Sequence, residues 1–447
     1  MSLRQRCSAW VSCAIANNRA QGASCPERAC RSPISLDITM PHVLAFTLPM
    51  SGHLFPFVPV LAELRRRQWS VTLAVPGSRP MPELPDMRTV HLPWPDADPL
   101  GPRSDQPRFA PYPQVEIFAR YGEGLSRALE EVIAHERPTF VLVDTMLWGG
   151  MIAAEASRIP WGTVTHNPLC FRGLGIDARG PALPPPNTWV SRLRHQVVEN
   201  AMRCETEVHL KEVNTVRQRR GLAPLARLVD LLTAVPLILA TTSEPFEYPR
   251  HDWPASLRFV GPMIWDAPYT DTPPMDLADD GRPLILVADS TVTSTSAASR
   301  WTEKVFEALA DEPYRIVATV PTGPAAQVDP LNPMKVERSL SHSTLLPHVS
   351  CVVCHGGAGI VQKALWFGVP VVAIPSAFDR FEVARRLEVC GAGVRLTPDR
   401  LTLSNIKSAV RQALTLKPNA EFIGKRFRES GGASVAADAI ETLPSSG

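Results

Sequence analysis

The feature that most constrains this chain is a unit met twice along it: a short aliphatic run, a glycine turn, then a stretch with helical apolar period. The first copy reads His42-Val-Leu-Ala-Phe-Thr-Leu48, then Pro49-Met-Ser-Gly-His53, then apolar positions at Val60, Leu61 and Leu64 up to Arg67. A second strand, Ser70 to Val75, follows at once. Strand, helix and strand in that order form a βαβ unit, with parallel strands and a right-handed crossover. Further on, a helical segment from Val115 to His135 leads into the strand Thr139–Asp144, and another helix runs through Ala153 to Ser157 toward Pro160. The first half is therefore expected to be a doubly wound α/β domain.

Between Phe259 and Pro283 the periodicity stops and Pro, Asp, Gly and Thr take over, the composition of a connection. The alternation then resumes, with strands at Leu284–Ala288, Arg315–Thr319, Cys351–Cys354 and Val369–Ile374 and helices at Trp301–Ala310 and Gly359–Phe367. The expectation is an α/β chain of two tandem Rossmann-like, doubly wound domains facing across a cleft: residues 40–259, a linker over 260–282, and residues 283–447. A length of 447 residues exceeds one core and fits two.

Residues 1–39 carry Cys7, Cys13, Cys25 and Cys30 among Arg, Ser, Ala and Asn. They show neither apolar periodicity nor the charged-then-apolar order of a secretory signal, and their spacing fits no usual zinc finger. They read as a disordered leader, with Met40 as the natural start. Lys plus Arg (46) nearly balance Asp plus Glu (44), so no broad positive field is available for nucleic acid or an anionic membrane. No charge-free apolar run reaches the roughly 20 residues of a spanning helix. Nine cysteines, an odd number, with Cys351 and Cys354 inside an apolar run, fit a reducing cytoplasm.

The strongest chemical signal is His355-Gly-Gly-Ala-Gly359, between an apolar strand and a helix. Such a turn aims backbone N–H groups and the positive helix end at an anion and lets it approach the backbone closely. Alone, a Gly-Gly-x-Gly is equally well a tight turn. Here it continues into Ala364-Leu365, Gly368-Val369-Pro370, Pro375, Asp379, Ala384-Arg385-Arg386 and Gly391-Ala392-Gly393. This succession resembles the C-terminal donor domain of the family 1 glycosyltransferases, of GT-B fold, and is nearest to actinobacterial enzymes that glycosylate natural products. The resemblance spans about residues 41 to 440.

The resemblance implies an inverting glycosyltransferase that moves a sugar from a TDP- or UDP-sugar to a hydroxyl of a small apolar acceptor. By it, His355 and the backbone of Gly356, Gly357 and Gly359 would hold the diphosphate. Asp379 would accept hydroxyls of the donor sugar, with helix capping as its other role. Arg380 stands where the family has Gln. Ser290 and Thr291 match a hydroxyl-bearing loop near the phosphates, and His342 and Ser339 fall where a Gln and a base-stacking Trp are found in other members. In Gly52-His53-x-x-Pro56, at the carboxyl end of the first strand, His53 would be the general base, a task suited to a side chain that titrates near working pH. Asp144, ending another strand, would orient its imidazole. Trp148, Trp161, Phe171 and the Pro-rich Gly180–Pro186 are acceptor-side candidates, each aromatic also readable as core. No metal and no other cofactor is expected, since backbone dipoles and His355 can meet the diphosphate. The partners implied are the nucleotide sugar and the small acceptor.

Two departures bear on the donor. Ile360 stands where a hydroxyl meets phosphate, and Lys363 where a Glu accepts from the ribose diol; a cation accepts no hydrogen bond. A TDP-sugar is then expected to serve at least as well as its UDP counterpart, unless Lys363 points to solvent and another group reads the ribose. A GT-B epimerase or hydrolase of sugar nucleotides, and a catalytically silent sugar-nucleotide binder, share most of these motifs. The presence of both His53 and Asp144 speaks against the silent form.

Overall fold

The computed structural model describes residues 40–84, 86–93, 113–169, 182–268, 280–289, 299–320, 334–337, 340–376 and 379–444. Ser290, Thr291, Ser339, Phe171, the leader cysteines, the centre of the linker and the start of the Pro-rich run lie outside them.

Among the described residues the first sheet has seven strands: β1 (His42–Phe46), β2 (Ser70–Pro76), β3 (Arg88–Leu92), β4 (Phe140–Asp144), β5 (Trp161–Thr165), β6 (Ile238–Ala240) and β7 (Leu257–Phe259). Their spatial order is β3-β2-β1-β4-β5-β6-β7, and every pairing is parallel. Strand β1 sits between β2 and β4, with Val43 beside Val71 on one side and Phe140 on the other. Helices cover both faces of such a strand, which is why β1 and β4 are almost wholly apolar rather than alternating.

The pleat still divides those residues between two cores. Leu44, Phe46, Val141 and Val143 face α2 (Pro113–Glu136) and α3 (Trp148–Ser157), while Val43, Ala45, Phe140 and Leu142 face α1 (Val58–Arg66).

The second sheet repeats the plan with β8 (Leu284–Ala288), β9 (Arg315–Thr319), β10 (Met334–Glu337), β11 (Cys351–Cys354), β12 (Val371–Ala373) and β13 (Gly393–Arg395). Its order is β10-β9-β8-β11-β12-β13, again parallel. One face packs on α4 (Ser299–Leu309) through Trp301 and Val305, the other on α5 (Ala358–Trp366) and α6 (Arg380–Val389). Each sheet thus reverses its order once, between β1 and β4 and between β8 and β11, and ligands bind at the carboxyl ends of strands flanking such a reversal. The two tandem doubly wound sheets are those expected.

The end of the chain departs from the expected division at 283–447. Helix α7 (Gly432–Glu441) packs Ala436, Ala437 and Ile440 against the α1 side of the first sheet. Arg67, just past α1, reaches Asp438 and Glu441 at 2.6 and 2.7 Å. The chain therefore crosses between the domains twice, and the crossings touch: the amide of Gly432 donates to the carbonyl of Val260 at 2.8 Å. Gly261, Gly431 and Gly432 have φ of 74°, 82° and 59° there, a region that favours glycine. No helix among the described residues is long and apolar enough to cross a membrane.

Candidate functional site

Both order reversals carry the polar groups expected of them. After β1 the chain turns through Met50 into the short helix Ser51–Leu54, which holds His53 beside the end of β4. There Asp144, fully buried, accepts three hydrogen bonds: from Thr47 Oγ1 at 2.9 Å, from His53 Nδ1 at 2.8 Å, and from the amide of Met146 at 2.9 Å. Burial alone would raise the Asp144 carboxyl, but the neighbouring His53 and His166 and these hydrogen bonds outweigh it and hold it below its ordinary value. An ionised carboxylate only accepts, so it fixes the proton on His53 Nδ1 and leaves Nε2 basic.

Sequence reasoning passed over His166. It follows β5 directly, and its ring meets that of His53 edge to face, with centroids 4.4 Å apart. Burial, reinforced by His53, pushes it down to about 4, so it stays neutral at ordinary pH. The signal that singled out Asp144, a polar residue at the carboxyl end of an apolar run, is weak for His166, because a glycine and two threonines interrupt Trp161–Thr165.

On the other sheet His355 follows β11, with Nδ1 3.4 Å from the carbonyl of Ala288 at the end of β8. Burial and the Arg380 cation push His355 down to about 3, so it is a neutral imidazole. Gly356 has φ 82°, and a Cβ on Gly357 would run into His355 Nε2. Among the described residues a Cβ on Gly359 would meet nothing within 4 Å, so no packing among them explains that glycine. Gly357, which has no side chain to cap with, is the N-cap of α5. The amides of that turn suit an anion.

Asp379 occupies the N-cap position of α6, yet its carboxylate makes no capping bond, so capping does not account for it. Arg380 is buried, and one Nη donates to Ser376 Oγ at 3.3 Å. His342 Nε2 lies 3.1 Å from Thr319 Oγ1, and burial with Lys363 nearby lowers this histidine to about 4.

Lys363 does not point to solvent. Its side chain is 11% exposed; Nζ donates to the carbonyl of Trp265 at 2.9 Å and forms an ion pair with Asp266. Asp266 also accepts from the amide of Ser343 at 2.8 Å and from Ser341 Oγ at 3.2 Å. Asp266 belongs to the linker and was not read as a site residue.

One cavity of about 540 Å³ gathers these groups. His53 and His166 from the first domain line it, together with His355, Gly357, Gly359, Asp379, Arg380, His342, Lys363 and Asp266. Trp148 is not among its lining residues: the indole is buried in the first core, 6.2 Å from the Phe118 ring. His53, Asp144 and His166 could each offer a metal one ligand atom, the three within 4.8 Å of one another. Ligation through His53 Nδ1 would break the His53–Asp144 hydrogen bond.

Residues 303–433 match a family described as Erythromycin biosynthesis protein CIII-like, C-terminal domain. The chain is 32% identical over 425 residues to 4'-demethylrebeccamycin synthase of Lentzea aerocolonigenes, covering 90% of this chain and 98% of that one. The solved glycotransferase of kitacinnamycin superposes with a TM-score of 0.67 at 19% identity, over 91% of this chain and 100% of its own. VinC, a glycosyltransferase solved in complex with DTDP, gives 0.61 at 19% identity, over 90% and 99%. Those two share the fold; it is the sequence match along nearly the whole of an actinobacterial enzyme that places this chain among the family 1 glycosyltransferases of GT-B fold, in their natural-product branch.

Proposed function

We infer that this glycosyltransferase moves a sugar from a nucleoside diphosphate donor, TDP- or UDP-linked, to a hydroxyl of a small apolar acceptor, inverting the anomeric carbon. One observation carries the reading: His53, backed by buried Asp144, shares a single cavity with the His355-Gly-Gly turn and the start of α6. In this mechanism His53 Nε2 takes the acceptor hydroxyl proton as the oxygen attacks the anomeric carbon. The bond from that carbon to the diphosphate oxygen breaks, and the diphosphate leaves with the electron pair. Asp144 stabilises the imidazolium. The α5 amides and Arg380 meet the diphosphate charge, with His355 lining the same cavity, so the reaction is read as metal-independent.

A single displacement inverts. The test is an acceptor panel run with an α-linked donor in excess EDTA, followed by proton NMR of the product. A β-linked glycoside is expected; an α-linked product overturns direct displacement, and abolition by EDTA overturns metal independence. Donor consumption without glycoside across the panel favours the hydrolase.

A further inference from the structure

Arg386, on α6, has a guanidinium that lies between two carboxylates from different domains. Its side chain is 1% exposed, and those of Glu247 and Glu382 are 2% and 0% exposed. Nε donates to Glu247 at 2.7 Å, and one Nη donates to Glu382 at 3.1 Å. Glu247 comes from the segment between β6 and β7, whereas Glu382 is on α6 itself. The Tyr248 ring lies against the guanidinium at 4.5 Å.

The second oxygen of each carboxylate makes a matching contact. Glu247 Oε2 accepts from the amide of Leu169 at 3.3 Å, and Glu382 Oε1 accepts from the amide of Ala182 at 2.9 Å. Arg385 Nε reinforces the second point by donating to the carbonyl of Ala182 at 2.6 Å. Leu169 follows closely on His166 and Asn167, which line the cavity, and the first turn of α6 brings Asp379 and Arg380 to the same cavity. One cation thus ties two points of the first domain to the helix that faces the donor side.

Stability alone is a poor reason to keep such a cluster. Apolar residues of similar volume commonly hold a protein together as well as a buried ion triad does. What they do not reproduce is a planar fork that fixes two carboxylates at a set distance and angle.

We propose that Arg386 is a positioning residue for sugar transfer, holding the strand end that carries His166 and Asn167 in register with the helix start that carries Asp379 and Arg380. Occupation of the donor site is then felt on the acceptor side. This rests on the donor reading given above.

The test uses TDP as the probe, with amide hydrogen exchange as the readout. In the wild type, TDP slows exchange in peptides covering Trp161–Leu169 and Ala182–Thr188 by about fivefold, the scale of an ordinary coupling, although these residues belong to the first domain. Arg386→Met is expected to abolish that protection. Because it also strands two buried carboxylates, it is compared with Arg386→Met/Glu247→Gln/Glu382→Gln, in which no charge is left unpaired. The triple variant is expected to regain the wild-type Tm and to bind TDP within about threefold of wild type, less than the coupling itself, yet to show no protection at either peptide. Arg386→Lys, which retains the charge without the fork, is expected to behave as the triple variant does. Undiminished protection in the triple variant or in Arg386→Lys overturns the proposal, as does a wild type that binds TDP without protecting these peptides. A wild type that binds neither TDP nor UDP overturns the donor reading, and this inference with it.

Discussion

His53 and His166 stand ring to ring, yet only His53 is hydrogen-bonded to Asp144. His166, held at about 4, remains neutral beside it and adds no second positive charge when His53 takes a proton. On the proposed mechanism His53→Ala lowers kcat by about 10²–10⁴, the range for loss of a general base, while TDP still binds. Asp144→Asn is expected to do less damage, since the base itself remains. Steady-state kinetics with calorimetric TDP binding checks both, and wild-type turnover in His53→Ala removes it from the mechanism. Lys363 calls for a different measurement. Paired to Asp266, it offers no acceptor to a ribose hydroxyl, and Asp266 is already engaged by Lys363, Ser341 and Ser343. We expect kcat/KM for TDP-glucose to equal or exceed that for UDP-glucose. A uridine preference above about tenfold, 1.4 kcal/mol, ends that argument.

At the scale of elements, α6 begins in the cavity and buries its middle between the domains, so one helix start brings Asp379 and Arg380 to the cavity while its next turns carry the Glu382–Arg386 pair. Burial, offset in part by Arg386, pushes Glu382 up to about 7 from an ordinary 4.5. A carboxyl whose pKa is raised on folding stabilises fully below its unfolded value and loses that contribution as pH climbs through the folded one. Glu382→Gln should therefore gain stability relative to wild type as pH rises from 4.5 to 7, by roughly 1.4 kcal/mol per unit. His166 acts in the opposite sense, its contribution present above pH 6.5 and lost as pH falls toward 4, and it cancels in the comparison. Urea unfolding of both proteins across that window measures the difference; parallel curves would show that Glu382 does not titrate there.

Legibility followed the same elements. His53, Asp144 and His355 could be found because each ends, directly follows, or lies one turn beyond a strand whose apolar run is unmistakable. His166 was missed because Trp161-Gly-Thr-Val-Thr165, short and interrupted by glycine, scarcely reads as a strand at all.

Across the whole molecule, alternating strands and helices announced two doubly wound sheets, since a βαβ unit leaves little topological freedom. Contacts between distant segments were not legible. Lys363 meets Asp266 and Arg386 meets Glu247 across 97 and 139 positions, and no local pattern announces either pairing. Nor does any pattern tell the last helix which of two apolar cores it will join. Its return to the first sheet matters for how the domains can move. Two covalent passages lie side by side, joined at Val260 and Gly432, like the leaves of a door hung on one pin. A swing about that pin stretches neither passage, whereas a sliding or twisting displacement pulls on both. Gly261, Gly431 and Gly432 give the backbone at that pin the freedom a swing requires, and Pro262 to Asp266, which line the cavity, begin directly beyond it.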